Sequence, residues 1–183
     1  MHVIAIHENY RGYEPPSWFQ PTVERLVQSL DAQHMAGLRS IVLSSSAAIG
    51  RGKTGRVKGR KYQRSDCRGF YHPSWRGEQP WIELVVDNIV TAHSTSLLRW
   101  QLFRDLFVAQ TLYHEVGHHL QETVGSAAHS GEASAEDWQE RLGKLHGRKH
   151  YWYPRPMRPV IRAAMWFLRR IATRKRTQSG RRG

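Results

Sequence analysis

Residues 114–118 read His-Glu-Val-Gly-His, two histidines four positions apart with a glutamate beside the first. On a helix that spacing puts His114 and His118 one turn apart on one face, where each can offer a neutral imidazole nitrogen to a single Zn²⁺. Glu115 then stands beside the open coordination position, placed to take a proton from a water that the metal has acidified. Two protein ligands do not complete such a site, because a catalytic zinc takes three and keeps one position for water. The downstream candidates are His129, Glu132, Glu136 and Asp137. Glu132 ranks first because it opens the next helical pattern, with Ala135 and Trp138 at +3 and +6 packing the same side. That helix can cross the metal helix and aim a carboxylate at it. Glu136 ranks second and His129 third. A first-turn carboxylate also complements the helix dipole, which gives Glu132 a purely structural alternative role. A third histidine at the spacing HExxHxxGxxH is excluded, since Val124 occupies that position.

The pattern around the motif supplies the long helix such ligands need. From Thr95 to about Val124, Leu102, Leu106, Ala109, Tyr113, Val116 and Leu120 fall on one broad face. Trp100, Phe103, Phe107, His114 and His118 fall on the opposite one. A helix apolar on both faces is expected to be buried on both, here between a sheet and a second helical layer with the histidines lining the cleft. Gly125 is the expected C-terminal stop. His119 points about 100° away from His118 and reads as a packing or supporting histidine. Tyr113 lies on the core face. No spacing singles out an oxyanion-stabilising group among Tyr71, His72, His146, His150 and Tyr151.

Short strands and one amphipathic helix precede this region. Val3–Ile6 is an apolar run suited to a first strand. Pro21 can open a helix as its first residue, and Val23, Leu26, Val27 and Leu30 then follow at helical spacing. Leu38–Leu43 reads as a second strand, Gly69–His72 as a third and Trp81–Val86 as a fourth. Gly50 to Gly69 is rich in Gly, Lys and Arg without apolar period, and is expected to be a long basic loop. Glu132–Leu145 forms the next helix, with Ala135, Trp138, Leu142 and Leu145 on one stripe. Three prolines open the tail from Pro154, and Val160–Ile171 follows as an amphipathic helix with a basic face. The last eleven residues are polar and basic, and expected to be disordered. The order of elements is that of an α+β fold, with one domain over residues 1–150 and a basic appendage over 151–183.

Charge is unevenly placed. Residues 1–140 hold 14 Lys/Arg against 15 Asp/Glu, whereas residues 141–183 hold 14 Lys/Arg and no acid, so the net +13 belongs to the tail. A second basic cluster, Arg51, Lys53, Arg56, Lys58, Arg60, Lys61, Arg64 and Arg68, faces only Asp66 within the 50–69 segment. Three partners fit these parts: nucleic-acid phosphates, an anionic membrane surface beneath Trp166, Phe167 and Leu168, or solvent alone. The single cysteine, Cys67, rules out an internal disulfide and a cysteine-based zinc ribbon. No basic leader with a long apolar core opens the chain and no run of 18 apolar residues occurs, so the expected compartment is the cytoplasm, with no transmembrane segment.

Thr111-Leu-Tyr-His-Glu-Val-Gly-His-His-Leu120 resembles the active-site helix of zincin metallopeptidases, in particular gluzincin-like members of the ImmA/IrrE type. Glu132-Ala-Ser-Ala-Glu-Asp-Trp138 resembles the ExxAxxF/Y segment that follows in that group, with Glu136 standing where an asparagine-like residue is usual. The match covers about residues 81–145. The resemblance implies a zincin-like fold, a small mixed β-sheet followed by a buried active-site helix and a C-terminal helical lobe. It also implies Zn²⁺ held by His114, His118 and Glu132, Glu115 as general base, and a protein or peptide substrate. SprT-like proteases, which act near DNA, are the second resemblance. Their third ligand is a histidine at the start of the following helix, near where His129-Ser-Gly131 falls here.

Overall fold

Four short segments of four or five residues join into one sheet. The computed structural model describes residues 4–50, 54–57, 60–124 and 131–151. In chain order the elements are β1 (Ala5–Asn9), α1 (Phe19–Ser29), β2 (Ser40–Ser44), α2 (Ser46–Ile49), β3 (Thr54–Val57), β4 (Arg60–Gln63), β5 (Gly69–His72), β6 (Trp81–Val85), α3 (Val86–Thr91), α4 (Gln101–Val124) and α5 (Glu132–His150). The sheet order is β1-β2-β6-β5. β1, β2 and β6 run parallel and β5 pairs antiparallel to β6 as the edge strand. The architecture is therefore α+β with a mixed sheet, as the order of elements implies. No helix among the described residues is long and apolar enough to cross a membrane.

The core lies on one face of the sheet. Ile41 and Leu43 of β2 and Ile82 and Leu84 of β6 are fully buried there, against Phe19, Val23 and Leu26 of α1 and Val108, Leu112, Tyr113 and Val116 of α4. Buried Ile82 and Leu84 alternate with half-buried Trp81 and Glu83 in β6, and with the 3.6-residue stripe of the helices this makes a sheet-on-helix layer pair. Burying each of these aliphatic side chains contributes roughly 1.5–3 kcal/mol, which keeps α4 fixed against the sheet.

Several boundaries and faces differ from the sequence expectation. β1 starts at Ala5 and runs on to Asn9, and α1 starts two residues before Pro21, which sits in the first turn where its missing N–H costs nothing. The 50–69 segment is not a loop throughout: β3 and β4 pair as an antiparallel hairpin, with Thr54 opposite Gln63 and Val57 opposite Arg60. Its Gly-, Lys- and Arg-rich sequence lacks the apolar alternation that reveals a half-buried strand. α4 begins at Gln101, after a single 3₁₀ turn at Leu97–Arg99.

Leu106 is 44 % exposed and Leu145 is 48 % exposed, although each was expected on a core stripe. Polar residues hold the corresponding core positions. Asp105 of α4, 1 % exposed, meets the Arg25 guanidinium of α1. His146 of α5 sets Nδ1 2.9 Å from Ser29 Oγ of α1, which in turn lies 3.0 Å from Tyr113 Oη of α4. A buried charge or hydroxyl is tolerated when partnered, and here the partners pin three helices together. Gly125 and the tail from Pro154 onward lie outside the described residues.

Candidate metal centre

α4 carries His114, Glu115 and His118 on its second half. His114 and His118 share a face, with ring centroids 4.8 Å apart and planes at 87°. α5 begins at Glu132, and its carboxylate reaches this face: Oε2 is 3.4 Å from His114 Nε2 and Oε1 is 4.0 Å from His118 Nε2. One donor atom from each of the three residues falls within 4.8 Å of the other two. Around a tetrahedral zinc with bonds of about 2.1 Å, donor atoms stand about 3.4 Å apart. The His114–Glu132 pair already has that separation. The two wider pairs close by small side-chain rotations, which the 23 %, 24 % and 38 % side-chain exposure of His114, His118 and Glu132 leaves room for. Burial and the neighbouring His114 hold the His118 ring below its ordinary pKa, opposed by Glu132 and Gln121. His118 is therefore neutral near pH 7, the form that offers a lone pair. Two imidazoles and a carboxylate are the donor set a catalytic zinc takes, so the residues fit the ion.

Glu115, about 100° on from His114 around the helix, lies against Gly69 of β5 and is 7 % exposed. An edge strand leaves alternate N–H groups without a sheet partner, and the one on Tyr71 donates to the Glu115 carboxylate. Burial pushes this carboxyl up to about 8, against the lowering effect of the Tyr71 N–H, and the nearby Glu132 adds to the rise. A cation at the His114–His118–Glu132 cluster supplies the charge that restores the ionised form.

Two glycines make these approaches possible. A Cβ on Gly69 of β5 would stand 2.8 Å from Thr111 Cγ2 and 2.9 Å from Glu115 Oε1, so β5 lies directly on Glu115. A Cβ on Gly117 would stand 2.8 Å from the Ala135 carbonyl oxygen and 3.0 Å from Ala135 Cα, so the two helix backbones cross there. Neither glycine was singled out from the sequence. The available signal was Gly117 itself: glycine inside a helix costs roughly 1 kcal/mol relative to alanine, so its presence between two candidate ligands calls for a packing reason.

The other candidates are placed elsewhere. Glu136 is exposed and stands apart from the cluster, and His129 lies outside the described residues. His119 is fully buried, with Nε2 2.9 Å from the Ala36 carbonyl and Nδ1 3.3 Å from Tyr71 Oη, so it braces β5 and the turn before β2 against α4. The Tyr71 hydroxyl is engaged again by Glu122 at 2.5 Å. His72 turns to the opposite sheet face, stacked on Trp81 at 3.7 Å with Nε2 3.0 Å from Glu83. His146 is sequestered with Ser29 and Tyr113. None of these three side chains is directed at the cluster by its contacts. The chain matches no protein-family model, no curated protein and no solved structure with which it was compared.

Proposed function

We propose that the protein is a zinc-dependent metallopeptidase of the gluzincin kind, acting in the cytoplasm on a protein or peptide substrate. The observation that carries this reading is the convergence of His114, His118 and Glu132 beside a buried Glu115. When bound, Zn²⁺ supplies Lewis-acid chemistry, polarising a peptide carbonyl and lowering the pKa of a water molecule. His114 and His118 hold the ion through neutral ring nitrogens, and Glu132 adds one carboxylate oxygen. Glu115 accepts the proton of the attacking water on its carboxylate and delivers it to the departing amine nitrogen. The Tyr71 N–H fixes the orientation of that carboxylate, and β5, brought close through Gly69, shields it from bulk water. Metal analysis tests the reading: about one zinc per chain in the wild type, and little or none in His114→Ala. Wild-type protein purified without chelator and free of metal overturns it.

A second reading adds nucleic acid as a partner, and the β3–β4 hairpin favours it. A two-stranded antiparallel ribbon is one of the shapes that the DNA major groove admits, and this one carries Arg56, Arg60 and Lys61. Replacing these three by alanine should lessen the slope of log affinity against log salt by about 2.7 on duplex DNA, at roughly 0.9 for each phosphate left without a cation. An unchanged slope means that the hairpin neutralises no phosphate.

A further inference from the structure

The cluster needs α5 to start at one place on α4, and one side chain ties the two. Gln121 lies one turn beyond His118 on the same helix face. Its amide grips the backbone of Gly131, the residue before Glu132, from both sides: Nε2 donates to the Gly131 carbonyl at 2.9 Å, and Oε1 accepts from the Gly131 N–H at 3.4 Å. The same carbonyl receives the first N–H groups of α5, from Ser134 at 3.1 Å and Ala135 at 3.3 Å. Gly131 has φ of 133°, a conformation that only glycine adopts readily. One amide, a turn beyond a candidate ligand, therefore holds the N-terminus of the helix that brings another.

We infer that Gln121 is a positioning residue for the metal centre, setting Glu132 through Gly131. This rests on the metal-site reading above. Two alternative structural roles are weaker. A solvated helix-end glutamine has no reason to make a two-sided bond to a backbone ten residues away, and a generic helix tie does not need to fall on the residue directly before a candidate ligand. Groups that orient metal ligands typically carry a 10- to 100-fold share of affinity.

The test is zinc affinity by chelator competition on the full chain, with the visible spectrum of the Co²⁺-loaded protein, in wild type, Gln121→Ala and Glu132→Ala. Gln121→Ala should bind zinc about 10- to 100-fold more weakly, and its Co²⁺ bands should move toward those of Glu132→Ala. Its metal-free thermal midpoint should stay close to that of the wild type, because Gln121 is only partly buried. Zinc affinity equal to wild type, or Co²⁺ bands that do not move, overturns the role of Gln121. Wild-type protein that binds neither ion overturns the metal-site reading itself, and is told apart because the failure then appears before any substitution.

Discussion

Glu115→Gln protein is expected to hold about one zinc per chain and to hydrolyse peptide bonds about 10²- to 10⁴-fold more slowly than the wild type. Glutamine keeps the shape of glutamate and can still accept the Tyr71 N–H, so β5 and α4 stay together. It cannot take a proton from water. Burial already disfavours charge at this position, raising the carboxyl to about 8, so a neutral amide does not weaken the fold. The loss should therefore appear in kcat, with metal content and thermal midpoint preserved. Hydrolysis of an unfolded protein and of a mixed peptide library, measured beside zinc content, checks it. A variant as active as the wild type removes Glu115 from the role of base.

Gly117→Ala is the second large effect, and its sign decides between propensity and packing. In an ordinary helix interior this change stabilises by about 1 kcal/mol. Here the new methyl would stand 2.8 Å from the Ala135 carbonyl oxygen and 3.0 Å from Ala135 Cα, with Trp138 Cβ at 3.2 Å. Two of these atoms are backbone, and they cannot step aside without moving α5. Overpacking of this kind costs roughly 1–3 kcal/mol, which outweighs the gain in propensity. Glu132 lies one turn before Ala135, so displacing α5 also carries the carboxylate away from His114 and His118. The expected outcome is a lower denaturation midpoint together with zinc affinity reduced by about tenfold or more. A variant stabilised by about 1 kcal/mol with unchanged zinc affinity shows that the helices do not depend on this contact.

The pairing of His114 with His118, and the place of Glu115 beside them, were legible in the sequence because helical geometry is local. A separation of four residues sets a common face whatever the rest of the chain does. β6 was legible for the same kind of reason, since Trp81–Val86 alternates and alternation along a strand is a local property. So was the start of α5 at Glu132, through the spacing of Ala135, Trp138 and Leu142. The hairpin inside the basic segment was not, because its Gly-, Lys- and Arg-rich strands carry no apolar period to read. Asp105 and His146 were missed as core residues, and Leu106 and Leu145 misplaced, because burial of a polar group depends on partners far along the chain, Arg25 and Ser29 of α1.

By itself the sequence determined which residue types stand on one face of one helix, and so which chemistry α4 can offer. Only the tertiary structure decided that Glu132 arrives 3.4 Å from His114, that Tyr71 donates its N–H to Glu115, and that Gln121 grips Gly131. Each of these is a distance between elements, set by how closely backbones approach at Gly69 and Gly117. Spacing along a chain fixes direction within an element, whereas approach between elements follows from what their surfaces leave room for.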